Sequence, residues 1–382
     1  MNATAYQRMY FRRCGRLAAV GSLLFFLGCA SNGPARMTAD RFDYTAAVAE
    51  SYKEQNLMNL VRLRYGDWPV FLNIQQIVAG YNWEVGGTIS GMLNSPFGRG
   101  NDSVGGSVVG KYVERPTITY APLSGQDFFR NLMHPIRPVL LMSLIQAGWP
   151  ADVLLILSTE SIGDLHNSGM SVGRAVQGDS EFFFVVNVIR ELQNLNAIGV
   201  KYIEESSEFE SVLQFSIRER VLPTEVRSRL LELKEMLGLD LESNTFEVVY
   251  GVEQMNSKTL SLRTRSVMQI MLALSAAVEV SEEDLASGRV PRYDAESIPQ
   301  DRASDSADVD GQVWNSQEPI MRVHQGTTPP KYPFAKVEYR GRWYWIEDTD
   351  WASKRIFDFL LLILTITETT ETETPQLVIT TN

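Results

Sequence analysis

The stretch Pro223–Arg265 reads PTEVRSRLLELKEMLGLDLESNTFEVVYGVEQMNSKTLSLRTR and passes from a helical period to an alternating one. Val226, Leu230, Leu233 and Leu237 recur at steps of three and four, which predicts a helix with one buried stripe. Pro223 suits its first turn and Gly238 its left-handed end. Beyond it, Thr245–Gly251 and Thr259–Arg265 alternate apolar and polar residues, as two strands expected to pair antiparallel. An apolar helix is expected over 266–280. Helices and strands in this irregular order imply an α+β fold, with amphipathic helices packed on a mainly antiparallel sheet.

Working toward the N-terminus, Glu181–Ala197 carries Val185, Ile189, Leu192 and Asn196 at helical spacing. Leu213, Phe215 and Ile217 alternate with polar neighbours, as in a half-buried strand. Asp152–Leu157 is a compact apolar run, expected to be a buried strand. Residues 125–149 predict two short helices broken at Pro138. Lys111–Tyr120 reads as extended, and Pro116 within it suggests an edge strand. Residues 85–110 hold eight glycines, too many for a rigid element interior, and predict a glycine-rich hairpin loop. Val70–Trp83 is strand-like. Residues 43–65 predict a helix with Met58, Val61 and Tyr65 on one face beside Leu57 and Leu60, stopped at Gly66-Asp67. Arg62 and Arg64, in its last turn, are expected to satisfy the free carbonyls there.

Toward the C-terminus, residues 281–310 hold nine acids against three arginines, and 281–318 reads as a solvated linker or loop. Residues 319–382 form a small C-terminal unit. Ala335–Tyr339 and Arg342–Ile346 are expected to pair across an Arg340-Gly341 turn. In that register Val337 faces Tyr344 and Ala335 faces Ile346 on a core side. Lys336 faces Trp345 and Glu338 faces Trp343 on the other. A helix over about 351–366 follows. Its apolar run Phe359–Leu364 is shorter than the roughly 20 residues a membrane span needs, so it reads as core. A final strand-like piece is Leu377–Thr380.

At the other end, residues 1–28 carry Arg8, Arg12, Arg13 and Arg16 and no acid, then the apolar stretch Leu17–Leu27 and Gly28-Cys29-Ala30. That order is a secretory signal. Phe26-Leu27-Gly28-Cys29 resembles the lipobox of bacterial lipoproteins, although Phe26 stands where leucine is commonest. The chain as a whole resembles the envelope lipoproteins of proteobacteria. The resemblance implies cleavage before Cys29 and acylation of its sulfur and amine, so that acyl chains such as palmitate hold the protein on a membrane. Ala30, in place of the aspartate common after the cysteine of inner-membrane lipoproteins, implies the outer membrane. The resemblance brings no activity with it. Residues 29–42 then form a lipidated N-terminus and tether, with Ser31–Thr38 flexible, and 43–280 the main domain.

Cleavage removes four of 35 basic residues and none of the 46 acids, leaving a net charge of −15 (31 basic against 46 acidic). So acidic a chain is poorly matched to nucleic acid. Cys14 leaves with the signal, and an acylated Cys29 has no free thiol, so neither disulfide nor thiolate metal ligand is expected.

Motifs for catalysis are weak. Gly105–Lys111 nearly spells a phosphate loop, but Tyr112 stands where a magnesium-holding hydroxyl is needed and the residues after it look extended. The periplasm also lacks ATP, so no nucleotide partner is expected. Ser306–Gly311 resembles half a calcium loop, but serine holds the first position and Gln317 the twelfth. His134, His166 and His324 have no second ligand at zinc spacing, so no metal is expected. Ser158, Ser161, Asp164 and His166 are too close in sequence for a triad, and no Gly-x-Ser-x-Gly turn exists. No cofactor is implied. The candidate contact surface is the aromatic hairpin face of Trp343, Trp345, Lys336 and Glu338, since half-exposed indoles suit a protein or a sugar. The function expected is a non-catalytic structural or interaction component of an envelope assembly, with an envelope protein as partner. The alternatives are a glycan- or peptidoglycan-binding module and a hydrolase whose site is not local in sequence.

Overall fold

The computed structural model describes residues 33–78, 81–92, 103–114, 116–123, 126–171, 174–176, 178–204, 211–251, 256–291 and 320–368. Cys29, the signal, the calcium-like Ser306–Gly311, most of the acidic segment and Leu377–Thr380 lie outside them. The chain divides into two units, Met1–Tyr52 and Lys53–Asn382.

In chain order the elements begin with α1 (Gly33–Arg64), β1 (Leu72–Val78), β2 (Tyr81–Met92), β3 (Ser103–Glu114) and β4 (Thr117–Pro122). Helices α2 (Gln126–Met133), α3 (Pro138–Gln146) and α4 (Ala151–Ser158) follow, then β5 (Thr159–Ile162), β6 (Leu165–His166), β7 (Gly169–Ser171) and β8 (Arg174–Val176). Next come α5 (Ser180–Asn194), β9 (Ile198–Glu204), β10 (Ser211–Ile217), α6 (Thr224–Met236), β11 (Thr245–Tyr250) and β12 (Thr259–Thr264). The series ends with α7 (Val267–Ser275), α8 (Glu282–Ala286), β13 (His324–Gly326), β14 (Pro333–Tyr339), β15 (Arg342–Glu347) and α9 (Trp351–Glu368).

The fold is α+β. A six-stranded sheet runs β6-β5-β12-β11-β10-β9, and a three-stranded sheet runs β13-β15-β14. All described strand pairs are antiparallel except β11–β12, where Glu247 to Tyr250 run alongside Thr259 to Leu262 in the same direction. The antiparallel expectation for these two strands is therefore corrected. Alternation reports which residues face the core, not which way the chain returns. Strand β12 is buried at nearly every position, as central strands covered on both faces are.

The stripe of α6 lies where its period puts it: Val226, Leu230, Leu233 and Leu237 are all buried. So are Val185, Ile189 and Leu192 of α5, whereas Asn196 falls beyond the helix at a positive φ of 52°. A capping box closes the start of α7, with Ser266 accepting from Gln269 N–H and Gln269 accepting from Ser266 N–H. Asp152–Leu157 is helical, within α4, which corrects the strand expected there. Every residue of α4 is buried, so no polar face marks a period, and Pro150 stands at its N-cap. Helix α1 begins at Gly33, inside the stretch read as a flexible tether. None of the described helices is long and apolar enough to cross a membrane.

Where it is described, at 85–92 and 103–110, the glycine-rich stretch is strand, not loop. Strands β2 and β3 pair with each other from Tyr81↔Glu114 to Met92↔Ser103. Strands β1 and β4 pair from Val78↔Thr117 to Leu72↔Pro122, with a register shift between Ile74 and Gln76. The β1–β4 ribbon is rooted where Leu123 N–H donates to Phe71 carbonyl (2.9 Å) and where Phe71, Phe128 and Phe129 stack edge to face. Beyond that root its residues are almost all exposed.

One core holds the second unit together, from Leu57 and Leu60 of α1 to Ile363 and Leu364 of α9. The apolar run Phe359–Leu364 is part of that core.

Candidate functional site: the C-terminal sheet and the links beneath it

Positive φ at Arg340 (52°) and Gly341 (77°) closes the β14–β15 hairpin with the two-residue turn that matches strand twist. That turn fixes the register. Lys336 lies opposite Trp345 and Glu338 opposite Trp343, and on the other face Val337 lies opposite Tyr344 and Ala335 opposite Ile346. All four of that second set are buried. The pairing read from the sequence is thus the one found.

Strand β13, not foreseen, adds His324 opposite Trp345 and Gly326 opposite Trp343. It makes β15 the central strand. Trp345 is flanked by Lys336 on one side and by the His324 ring, 5.9 Å away, on the other. Its indole lies over Gly326, where a Cβ would stand 3.0 Å from the ring. Its N–H donates to Glu347 (2.8 Å). Lys336 Nζ sits 5.6 Å from the Trp343 ring. Both indoles are half-buried, and Glu338 is exposed. Glu279 holds β13 in place, facing His324 Nδ1 at 3.2 Å and accepting from Gln325 N–H at 3.2 Å. Two further aromatics went unnoticed in the sequence. Tyr332 and Trp351 are 73% and 71% exposed, beside the end of the sheet where Pro333 faces Glu347. Their signal is an aromatic just before the hairpin and another at the first position of the helix that follows it.

Under the sheet lies a polar cluster. Tyr65 hydroxyl bonds Asp284 Oδ2 (2.8 Å) and Tyr344 hydroxyl (2.7 Å), both buried. Ser281 donates to Asp284 Oδ2 (2.8 Å) and Arg289 to Oδ1 (2.9 Å). Burial pushes the Asp284 carboxyl up, but the bonds from Arg289, Ser281 and Tyr65 outweigh it and hold the group at about 2. Burial first, then the bonds to Tyr344 and Asp284, push the Tyr65 phenol well above its usual range. Next to it, Tyr339 hydroxyl and Arg340 both bond Asp67 Oδ2, and the Arg340 guanidinium lies 5.0 Å from the Tyr65 ring. The end of α1, the start of the acidic segment and the C-terminal hairpin therefore meet at one point.

For Arg64 the arginine expectation is corrected here. Arg64 is buried and donates to the carbonyls of Val278 (3.3 Å) and Pro291 (3.1 Å), which belong to other segments and not to its own helix. The acidic segment opens not as a solvated linker but as α8, capped by Ser281 and anchored through buried Asp284.

The catalytic motifs find no support in their placement. Gly105–Lys111 lies inside β3, paired with β2, so it opens no helix for a phosphate. Ser158 hydroxyl bonds the Leu154 carbonyl of its own helix. Ser161 faces His166 across β5–β6, but it is buried while the His166 side chain is exposed and lies 3.6 Å from Asp179. Among the described residues no three His, Cys, Asp or Glu side chains gather as a metal site. The strongly shifted groups, Tyr65, Asp284 and Arg265, are each engaged in links between segments. What the arrangement offers is an aromatic, charge-bordered outer face on a sheet bolted to the core. No family model, no curated protein and no solved structure matches the chain.

Proposed function

We propose that the protein is an outer-membrane-anchored lipoprotein that acts as a non-catalytic structural or interaction component of an envelope assembly. The observation that carries this reading is the β1–β4 ribbon. Its two strands pair only with each other among the described strands, and all their residues but the half-buried Ile74, Ile77 and Ala121 are exposed. Tyr120, Val78, Leu72 and Ile118 are among the exposed apolar groups. An isolated two-stranded ribbon is marginal in water, and its free edges invite pairing, so such a feature is kept where a partner covers it. The anchor rests on the sequence Phe26-Leu27-Gly28-Cys29.

Crosslinking in cells, followed by solubilisation and mass spectrometry of what the tagged chain carries, tests the partner. A reproducible envelope protein crosslinked through β1 or β4 is the expected outcome, and recovery of lipid or peptidoglycan fragments alone would sink it. For the anchor, labelled palmitate is expected in the wild type and absent from Cys29→Ala. A second reading, glycan binding, draws on the half-exposed Trp343 and Trp345 beside Lys336. It predicts that Trp343→Ala, still folded, loses retention on peptidoglycan.

A further inference from the structure

Strands β2 and β3 form a second two-stranded sheet with a different pattern. Each is 12 residues long, and they pair without a break. In such a ladder alternate positions share a face. From Val85 to Gly91 the odd positions of β2, with the valines and glycines opposite them, make a face without one polar residue. The other face carries Glu84 opposite Lys111 and Thr88 opposite Ser107. At the β1 end the apolar face is closed by Trp83 opposite Tyr112.

We propose that the β2–β3 hairpin inserts into a lipid bilayer and supplies two strands of a transmembrane β-barrel closed by several copies of this chain. The proposal rests on the membrane-anchored reading given above. Three physical arguments converge. A bilayer-crossing strand needs about 9–11 residues, and the apolar face with its aromatic pair runs over nine positions, 83 to 91, which at about 3.4 Å each and tilted about 45° rise about 22 Å, close to the roughly 25 Å apolar band of outer-membrane barrels. A wholly apolar face backed by one that carries Glu84, Lys111, Thr88, Ser107 and Ser90 beside Gly86 and Val109, and closed at one end by Trp83 and Tyr112, fits a wall between lipid and a watery lumen. The outer edges of β2 and β3 pair with no other described strand, and backbone edges cannot stay open in hydrocarbon. Two strands cannot close on themselves. The smallest barrels have about eight strands, so at least about four copies must contribute.

The experiment uses the full-length lipidated protein reconstituted in phosphatidylethanolamine–phosphatidylglycerol vesicles. With Cys14 removed and Cys29 acylated, a single introduced cysteine from 84 to 91 is the one free thiol, and it carries an environment-sensitive fluorophore. Emission at 85, 87, 89 and 91 is expected to shift to the blue and to be lost to a lipid-borne quencher, while 84, 86, 88 and 90 remain solvent-quenched. Uniform solvent exposure along the hairpin would overturn the proposal. A second pair avoids labelled hairpins. Ile89→Asp is expected to lose the multi-copy assembly in detergent and Thr88→Asp to keep it, with the core unfolding transition unchanged in both. Equal behaviour of the two, or a wild type that is monomeric in the membrane, also overturns it. Palmitate on Cys29 with no alternation would leave the anchor standing and remove the hairpin proposal; alternation without palmitate would do the reverse.

Discussion

At Arg265 a cation sits in the core because the end of α4 requires one. Its guanidinium donates to the carbonyls of Ile156 (3.2 Å) and Leu157 (3.4 Å) and bonds that of Ser168, while its own N–H donates to Ser158 carbonyl (2.7 Å). Burial lowers the guanidinium to about 10, with Glu160 pulling the other way, so it stays charged at neutral pH. Arg265→Met strands those carbonyls and should cost about 3 kcal/mol, measured by denaturant unfolding. Lys234 plays a like part, fully buried with its three protons on Glu219, Leu241 carbonyl and Asn244. Neither residue was legible in the sequence, because the partners of Arg265 lie about a hundred positions away and Lys234 interrupts a helix whose apolar stripe looked complete. Asp284 carries a pH dependence. Its carboxyl falls from the ordinary 3.8 to about 2 in the folded state, so the folded state favours the charged form. That stability is fully present above about pH 4 and is lost as the pH drops toward 2. Asp284→Asn should flatten the unfolding free energy over that window, read by urea midpoints at stepped pH.

At the scale of the element, turns were more legible than directions. The β14–β15 register followed from Arg340-Gly341 alone, because a two-residue hairpin permits one pairing. Gly341→Ala puts a Cβ on a φ of 77° with nothing within 4 Å, so its cost is backbone strain alone. About 1 kcal/mol is expected, seen as a lower midpoint with the denaturant slope unchanged. Helix α4 was misread because burial on all sides erases period, and β11–β12 because alternation is blind to chain direction. In β2 and β3 a high glycine count obscures the alternation. The valines and Ile89 that sit two residues apart were the better signal.

At the scale of the molecule, the second unit closes through its far end. Helix α9 places Phe357, Phe359, Leu360, Ile363 and Leu364 in the common core at 1% exposure or less. Five such side chains contribute roughly 10 kcal/mol of burial, comparable with the whole stability of a domain. A chain ending at Thr349 should therefore show no cooperative thermal transition by circular dichroism. The α+β class and the helix at each end of the core were legible as local periods. The meeting of α1, α8 and β15 was not, since it depends on bonds between residues hundreds of positions apart. That meeting has a kinetic consequence. Tyr65 pairs with Tyr344 across 279 positions, and contacts this distant must wait for loop closure and slow folding. Tyr344 is made 279 positions after Tyr65, so the end of the first helix waits for its partner strand while all that lies between is made, and the interval in which this corner is open scales with that time.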